Sequence, residues 1–155
     1  MLNQNWPRWV FASVSKHFDD KRQGLPLHIE GQHRDTRSLK DFIELRMDGP
    51  HFTEVSQNYW RIYVEVNILI QSTMDESSYH RIHQNAGIVA AAFTGIGLFK
   101  YGNGINDNPA VQWGCLQLLQ DTSRREELVI RHCGQVEPAT KLLQSTVEGH
   151  YETYI

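Results

Sequence analysis

One stretch of alternating residues limits the fold more than any other part of the chain. Between Tyr59 and Ser72 every second residue is apolar, and these residues are Trp60, Ile62, Val64, Val66, Ile68 and Ile70. A period of two is typical of a strand with one buried face, whereas a helix would spread these side chains around its circumference. At about 3.3 Å per residue the strand is roughly 45 Å long. It therefore requires a long partner strand and a cover for its apolar face.

The length and composition indicate a single globular domain, residues 1–155. A chain of 155 residues can bury about 68 to 70% of its unfolded surface. Its 40% hydrophobic and 21% charged residues exclude a disordered chain, and no apolar run is long enough for a membrane span. Eighteen acidic and fifteen basic residues give a net charge of −3. No overall basic field is therefore available to hold nucleic acid non-specifically.

The first residues do not have the pattern of a secretory signal. The segment from Met1 to Trp9 lacks both a charged n-region and an apolar h-region, so the expected compartment is a cytoplasm. The cysteines are Cys115 and Cys133, and their spacing fits neither a zinc site nor a disulfide framework. We expect both thiols to be reduced and buried, as free cysteines usually are.

Two segments have the period of an amphipathic helix. The first runs from Asn5 to about Phe18, and Trp9 falls off its apolar stripe. This tryptophan either widens the buried face or anchors a partner. The second helix is predicted to begin within Asp75–Ser78 and to end before Gly95. Its apolar residues recur at intervals of three and four, so it is the natural cover for the long strand.

A second alternating segment supplies the partner strand. Ile43, Leu45 and Met47 alternate with polar residues until the chain reaches Asp48-Gly49-Pro50. We therefore predict a long β-hairpin between Asp41 and Ser72, with a broad connection from Gly49 to about Asn58. The polar face of this hairpin carries Arg46, Arg61, Tyr63, Glu65 and Asn67. Because tyrosine and arginine are enriched at interfaces, this face suits either solvent or a polar protein contact.

The remaining strands complete the predicted sheet. Pro26 makes Leu25–Glu30 a candidate edge strand or strand start. Further strands are predicted at Ile96–Tyr101, Val111–Gln120 and Leu128–Cys133. The last segment, Thr140–Tyr154, favours a strand, although Lys141-Leu142-Leu143 suits the start of a helix. This order predicts an α+β fold, an antiparallel sheet with a long β-hairpin and two helices packed on one face.

No motif for catalysis stands out from the sequence. His80 and His83 lie three residues apart on the predicted second helix, and folding could bring His132 near them. No carboxylate has the spacing of a His-Glu-x-x-His site, so we expect neither a metal nor a cofactor. The pattern favours a non-enzymatic interaction or assembly protein. A small metal-assisted hydrolase built on these three histidines is the alternative.

Three segments together carry a family resemblance. They are Asp41-Phe42-Ile43-Glu44-Leu45-Arg46, Trp60-Arg61-Ile62-Tyr63-Val64-Glu65-Val66 and Tyr79-His80-Arg81-Ile82. With the strands that follow, this order resembles the tail terminator and minor tail (neck) proteins of tailed bacteriophages. The likeness covers most of the chain. It supplies no residue motif, so no functional residue is carried over from the family.

The resemblance implies a virion structural protein that is not an enzyme. Such a protein is assembled in the host cytoplasm, and it forms a homo-oligomeric ring, commonly a hexamer, at the end of the tail tube or in the neck. Its partners are the tail tube protein and the head-side connector protein, and DNA passes through the lumen of the ring. Another connector, collar or head-completion subunit of the same region remains an alternative. No membrane contact is expected.

Two groups of residues are the candidate contact sites. The candidate oligomer interface comprises Trp9, Arg46, Arg61, Tyr63 and Glu65. Polar, glycine-punctuated loops at Gly31–Lys40, Gly49–Asn58 and Gly102–Pro109 are the candidate partner-binding segments. The residues singled out in them are Arg34, Arg37, Lys40, Asn103 and Asp107. The basic first loop should favour an acidic partner or passing DNA, whereas the third holds a single acid.

Overall fold

The described part of the chain folds into two helices and a mostly antiparallel sheet. The computed structural model describes residues 2–31, 39–102, 111–119, 128–135 and 142–155. Its helices are α1 (Trp6–Lys21) and α2 (Ser78–Ala91). Its strands are β1 (Leu27–Ile29), β2 (Asp41–Ser56), β3 (Tyr59–Thr73), β4 (Ile96–Lys100), β5 (Val111–Leu118), β6 (Val129–Gln135) and β7 (Leu142–Tyr154). The predicted α+β class is confirmed, and the last segment is a strand.

The strands of the described part follow the order β1-β2-β3-β7-β5-β4, and β6 also pairs with β7. β3 and β7 are central, and they pair from Arg61 opposite Tyr154 to Thr73 opposite Leu142. On the other side of β7, β6 pairs with its first half and β5 with its second half. β1 departs from the antiparallel prediction, because it runs parallel to β2 with Leu27 opposite Ile43. It is an edge strand, as predicted.

The β2–β3 hairpin is longer than the sequence indicated. The predicted connection from Gly49 to Asn58 is wrong, because β2 continues to Ser56 and pairs with β3 almost to the turn. A register shift between Asp48 and His51 admits Pro50 at a bulge, where a missing N–H is tolerated. Gly49 has φ +106°, and a Cβ there would lie 3.0 Å from the carbonyl oxygen of Tyr63. The two signals that suggested a loop are therefore bulge residues.

Both helices cover the same face of the sheet. The alternating apolar residues of β3 from Ile62 to Ile70 are 0 to 1% exposed and join one core cluster with residues from both helices. The helical members of that cluster include Val10, Val14 and Phe18 of α1 and Ile82, Ala86 and Val89 of α2. Burying a valine or isoleucine stabilises a fold by about 1.5 to 3 kcal/mol. This layer accounts for the predicted packing of two helices on one face.

A glycine in β7 brings the sheet close to the loop after α2. A Cβ at Gly149 would lie 2.6 Å from Cδ1 of Phe93, so the aromatic ring packs directly on the β7 backbone. That ring is buried and stacks on Tyr151, whose hydroxyl donates a hydrogen bond to the Thr94 carbonyl at 3.0 Å. Burial raises the pKa of Tyr151 well above its usual range. The hydroxyl therefore stays protonated and serves as a buried donor.

The prediction of buried cysteines is wrong. Cys115 and Cys133 are both free and exposed. In β5, Leu116 points into the core, so the period of two places Cys115 on the opposite face. Cys133 lies at a register shift of β6 between His132 and Gly134.

Neither helix of the described chain is long and apolar enough to cross a membrane.

Candidate interaction surface

The face of the sheet opposite the helices carries a ladder of polar side chains from β3 and β7. On β3 these are Arg61, Tyr63, Glu65 and Asn67, and on β7 they are Glu148, His150 and Glu152. The register places Tyr63 opposite Glu152, Glu65 opposite His150 and Asn67 opposite Glu148. Each residue alternates with a buried apolar one, so the same period that builds the core also builds this surface. We call these seven residues the polar ladder.

The outer parts of the polar ladder are tied by cross-strand bonds. Arg61 Nε donates to Glu152 Oε2 at 2.7 Å, and the Arg61 guanidinium lies 4.9 Å from the centre of the Tyr63 ring. At the other end, Asn67 Nδ2 donates to Glu148 Oε1 at 3.0 Å. The Arg61 and Glu152 side chains are 30% and 23% exposed, so both are held against the sheet. The bonds fix long side chains in one conformation before any partner binds.

The middle of the polar ladder is a hydrogen-bonded trio. The Tyr63 hydroxyl donates to Glu65 Oε1 at 3.0 Å, and it also hydrogen bonds to Nδ1 of His150. A hydroxyl has one proton, so a Tyr63 that donates to Glu65 accepts from His150 in the tautomer that carries its proton on Nδ1. His150 Nδ1 lies 3.8 Å from Glu65 Oε1. The trio therefore holds an acid, a phenol and an imidazole in fixed positions on the surface.

An open groove of about 280 Å³ lies beside this trio. Its walls include the carboxylates of Glu30, Asp48, Glu65 and Glu148, together with Arg46, Asn67 and His150. Acidic groups outnumber the single arginine, so the groove is an acidic part of a mixed surface. Its shape and charge suit contact with polar groups of a protein.

The structure gathers most of the predicted interface residues on this face. Arg61, Tyr63 and Glu65 belong to the polar ladder, and Arg46 lines the groove beside them. Arg46 lies opposite Asn67 in the β2–β3 register, and its guanidinium is 3.2 Å from Glu44 Oε2. The four residues share one face because they occupy alternate positions of two neighbouring strands.

Trp9 does not belong to that surface. Its side chain is 9% exposed, and its indole Nε1 donates to the Tyr101 carbonyl at 2.9 Å. Its ring also lies 5.9 Å from that of Trp113, in a cluster that closes one end of the core. The indole widens the buried face of α1 toward β4 and β5. The choice of Trp9 as an interface residue is therefore corrected.

Only part of the predicted partner-binding loops can be placed. Arg34, Arg37, Asn103 and Asp107 lie outside the described residues. Lys40 is exposed at the start of β2, and its Nζ lies 3.2 Å from Asp75 Oδ2. Those four residues stay predictions, whereas Lys40 also has a structural contact.

Lys40 is part of a charged junction that ties the start of α2 to the sheet. Arg81 donates to Asp75 Oδ1 at 2.5 Å and to Asp41 Oδ2 at 3.2 Å. It also donates to the Thr73 carbonyl at 2.9 Å. The hydrogen bond from Arg81 is the main reason that the pKa of the Asp75 carboxyl lies well below its usual range. This junction fixes the path from β3 into α2.

Folding unites two of the three histidines of the hydrolase alternative. The rings of His83 and His132 lie 5.2 Å apart, and Tyr79 lies 5.6 Å from His132. His80 is exposed and does not stack with them. In the described ranges, no three His, Cys, Asp or Glu side chains are grouped so that they could hold a metal ion. The described chain thus offers two imidazoles without a third ligand.

The sequence reasoning missed the β7 half of the polar ladder. Glu148, His150 and Glu152 alternate with Val147, Gly149 and Tyr151, and this alternation was visible in the sequence. It showed that a polar face exists. What it could not show is that β7 pairs with β3, because pairing across 81 to 91 residues of chain leaves no local pattern.

Comparison with known proteins supports the fold alone. No protein-family model matches the sequence, and no curated protein matches it. Nine chains of solved structures do match. One of them, whose name describes no function, superposes with a TM-score of 0.59 over 94% of this chain and 93% of its own. The two sequences are 9% identical, so this similarity concerns the architecture and not the activity.

Proposed function

We propose that this protein is a virion structural subunit that forms a ring at the end of a phage tail tube or in the neck. In this role it terminates the tail and joins it to the head. The observation that carries the proposal is the one-sided sheet: both helices lie on one face, and the other face presents the polar ladder. The resemblance of the chain to tail terminator and minor tail proteins points in the same direction.

The polar ladder has the properties of a preorganised contact surface. Its tyrosine and arginine belong to the residue types that are enriched at interfaces. Its long side chains are already held by bonds within the chain, such as Arg61 to Glu152 and Asn67 to Glu148. A partner would therefore lose less side-chain entropy on binding than it would against free side chains. These features favour assembly over catalysis as the role of this face.

The proposal also names the partners of the ring, and it leaves open which structural subunit of the neck region this protein is. The ring is a homo-oligomer, and the hexamer is the proposed form. It contacts the tail tube protein on one side and the head-side connector protein on the other, and DNA passes through its lumen. Another connector, collar or head-completion subunit would use the same surface. The class-distinct alternative is a small metal-assisted hydrolase built on His80, His83 and His132, of which the last two lie close together in the structure.

The decisive experiment measures both the mass of the protein in solution and its ability to join tails to heads. Native mass spectrometry of the purified chain should show a closed oligomer, with the hexamer expected. The gene should then restore head joining in extracts of a phage that lacks its own terminator. A chain that stays monomeric at micromolar concentration, and that supports no joining of tails to heads, would overturn the proposal.

A further inference from the structure

Several strand edges of the sheet lack a partner in the described part of the chain, among them those of β1 and β4, and two further ones belong to β2 and β6. On one side, β1 pairs with Ile43–Leu45 of β2, and no described strand covers the following half of β2 from Met47 to Ser56. On the other side, β6 pairs with β7, and its outer edge has no described neighbour. Unpaired N–H and C=O groups of such edges are templates for a strand of another chain.

These two edges lie on opposite sides of the same sheet. β2 is separated from β6 by β3 and β7, so the edges face away from each other. A contact that joins one edge to the other is heterologous, and heterologous contacts that repeat head to tail form a ring when the rotation between subunits closes. Since β2 and β6 run in opposite directions within the sheet, a continued sheet would pair them antiparallel. A pair of identical edges would instead give a two-fold dimer.

The two edges also match in length. Between its two register shifts, β2 has a regular run from His51 to Glu54. β6 has a regular run from Val129 to His132 before its own shift at Gly134. Each run is bounded by an irregularity that bends the strand and ends regular pairing. A short, bounded edge allows one defined contact and resists open-ended aggregation.

The side chains of the two runs are complementary on both faces. The register shows that Phe52 of β2 and Ile130 of β6 lie on the helix side of the sheet, and Ile130 is 51% exposed. Thr53 and Arg131 lie on the opposite side, which carries the polar ladder. The exposed carboxylate of Asp48 lies near the start of the β2 run. Arg131 is itself 64% exposed. Joining the edges would therefore cover apolar groups on one face and bring opposite charges together on the other.

We infer that the outer edge of β6 in one subunit pairs, in a second copy of this chain, with the half of β2 that no described strand covers, so that the sheet continues from subunit to subunit. The occupant of each edge is thus the other edge of a neighbouring copy. This inference rests on the proposed ring, and it names the strands that would form its subunit contact. Thr53 lies opposite Arg61 in the β2–β3 register, so the polar ladder borders this subunit contact.

The test is disulfide trapping between subunits. The background is the full chain with Cys115→Ser and Cys133→Ser, so that no native thiol interferes. Thr53→Cys is combined with Val129→Cys or with Arg131→Cys, because all three side chains lie on the ladder side. Directly opposed residues of paired strands have the Cα separation that a disulfide requires. Thr53→Cys with Ile130→Cys is the matched control, since these two side chains point to opposite faces.

The expected result is a series of covalent oligomers of increasing size on a non-reducing gel after mild oxidation. The largest covalent oligomer should contain the number of subunits that native mass spectrometry gives, and the control pair should stay uncrosslinked. Covalent products that stop at the dimer would overturn the inference, because they indicate a two-fold contact. A ring without crosslinks from either ladder-side pair would overturn this edge pairing and leave the ring intact. A monomer without crosslinks would overturn the inference, and if it also supported no joining of tails to heads it would overturn the proposed function.

Discussion

The two faces of β3 differ sharply although they belong to the same strand. Val64 is completely buried under the helices, whereas its neighbours Tyr63 and Glu65 are half-buried and hydrogen bonded to each other on the other face. One face is held by apolar contact with both helices, and the other by bonds between strands. The difference teaches that stability and recognition can be assigned to alternate residues of a single strand. Substitutions on the two faces should therefore have separable effects.

The largest effect is expected when a charge is placed on the helix-covered face. Val64→Asp would bury a carboxylate without a partner, which is among the few changes that destabilise a domain by more than about 4 kcal/mol. We expect the variant to be unfolded at room temperature. Far-ultraviolet circular dichroism and urea titration would measure this loss. A cooperative transition close to that of the wild type would contradict the assignment of Val64 to the core.

A smaller effect is expected from a single added methyl group on the same face. Gly149→Ala would place a Cβ 2.6 Å from the buried ring of Phe93, which also packs on Phe18 and Tyr151. The ring has little room to move, so the free energy of unfolding should fall by about 1 to 3 kcal/mol. Gly87→Ala is the control, because apart from its chain neighbours and the backbone of its own helix no atom lies within 4 Å of the new Cβ. This control in α2 should gain up to about 1 kcal/mol from helix propensity.

On the polar face the expected loss of stability is smaller again. Arg61→Glu removes the 2.7 Å contact with Glu152 and sets two carboxylates together on a partly exposed surface. We expect a loss of about 1 kcal/mol in urea titration. Native mass spectrometry should nevertheless show weaker assembly, because this residue lies on the proposed contact surface. Unfolding as severe as that of Val64→Asp would show that the two faces are assigned wrongly.

The smallest effect is expected at the junction between β3 and α2, and it should depend on pH. The hydrogen bond from Arg81 holds the folded pKa of Asp75 below its ordinary value of 3.8. A carboxyl with a lowered folded pKa stabilises the fold above its unfolded pKa, and this contribution is lost as pH falls toward the folded value. Asp75→Asn should therefore be less stable than the wild type at pH 7.

The difference between Asp75→Asn and the wild type should begin to shrink below about pH 4 and should go on shrinking as the pH falls toward the lower folded pKa of Asp75. Thermal unfolding of both proteins from pH 7 downward would measure it. Because the pair is near the surface, added salt should also reduce the difference at pH 7. A gap that persists unchanged in acid would mean that the ion pair with Arg81 does not hold this carboxyl.

The sequence predicted those features that depend on local periodicity. The alternation in β3, the stripes of α1 and α2, and the one-sided core follow from side-chain spacing. Gly49 and Pro50 were misread as a loop, because the same residues mark a turn or a bulge and only the register of β3 decides between them. The burial of Trp9 depends on how α1 rotates against β4. The polar ladder required knowledge of long-range pairing, so only its β3 half was predicted.

The position of β7 has a consequence for how the protein is made. β7 is translated after every other described strand, yet it pairs with β3, β5 and β6. A ribosome releases residues in order, so more than half of the chain still has to follow when β3 is complete. Until β7 has been synthesised, the edge of β3 that pairs with it stays unpaired. Sheets with such distant pairing fold slowly and expose aggregation-prone edges in the meantime. Nascent chains that end before Leu142 should therefore be protease-sensitive, and the yield of folded protein should rise with holdase chaperones.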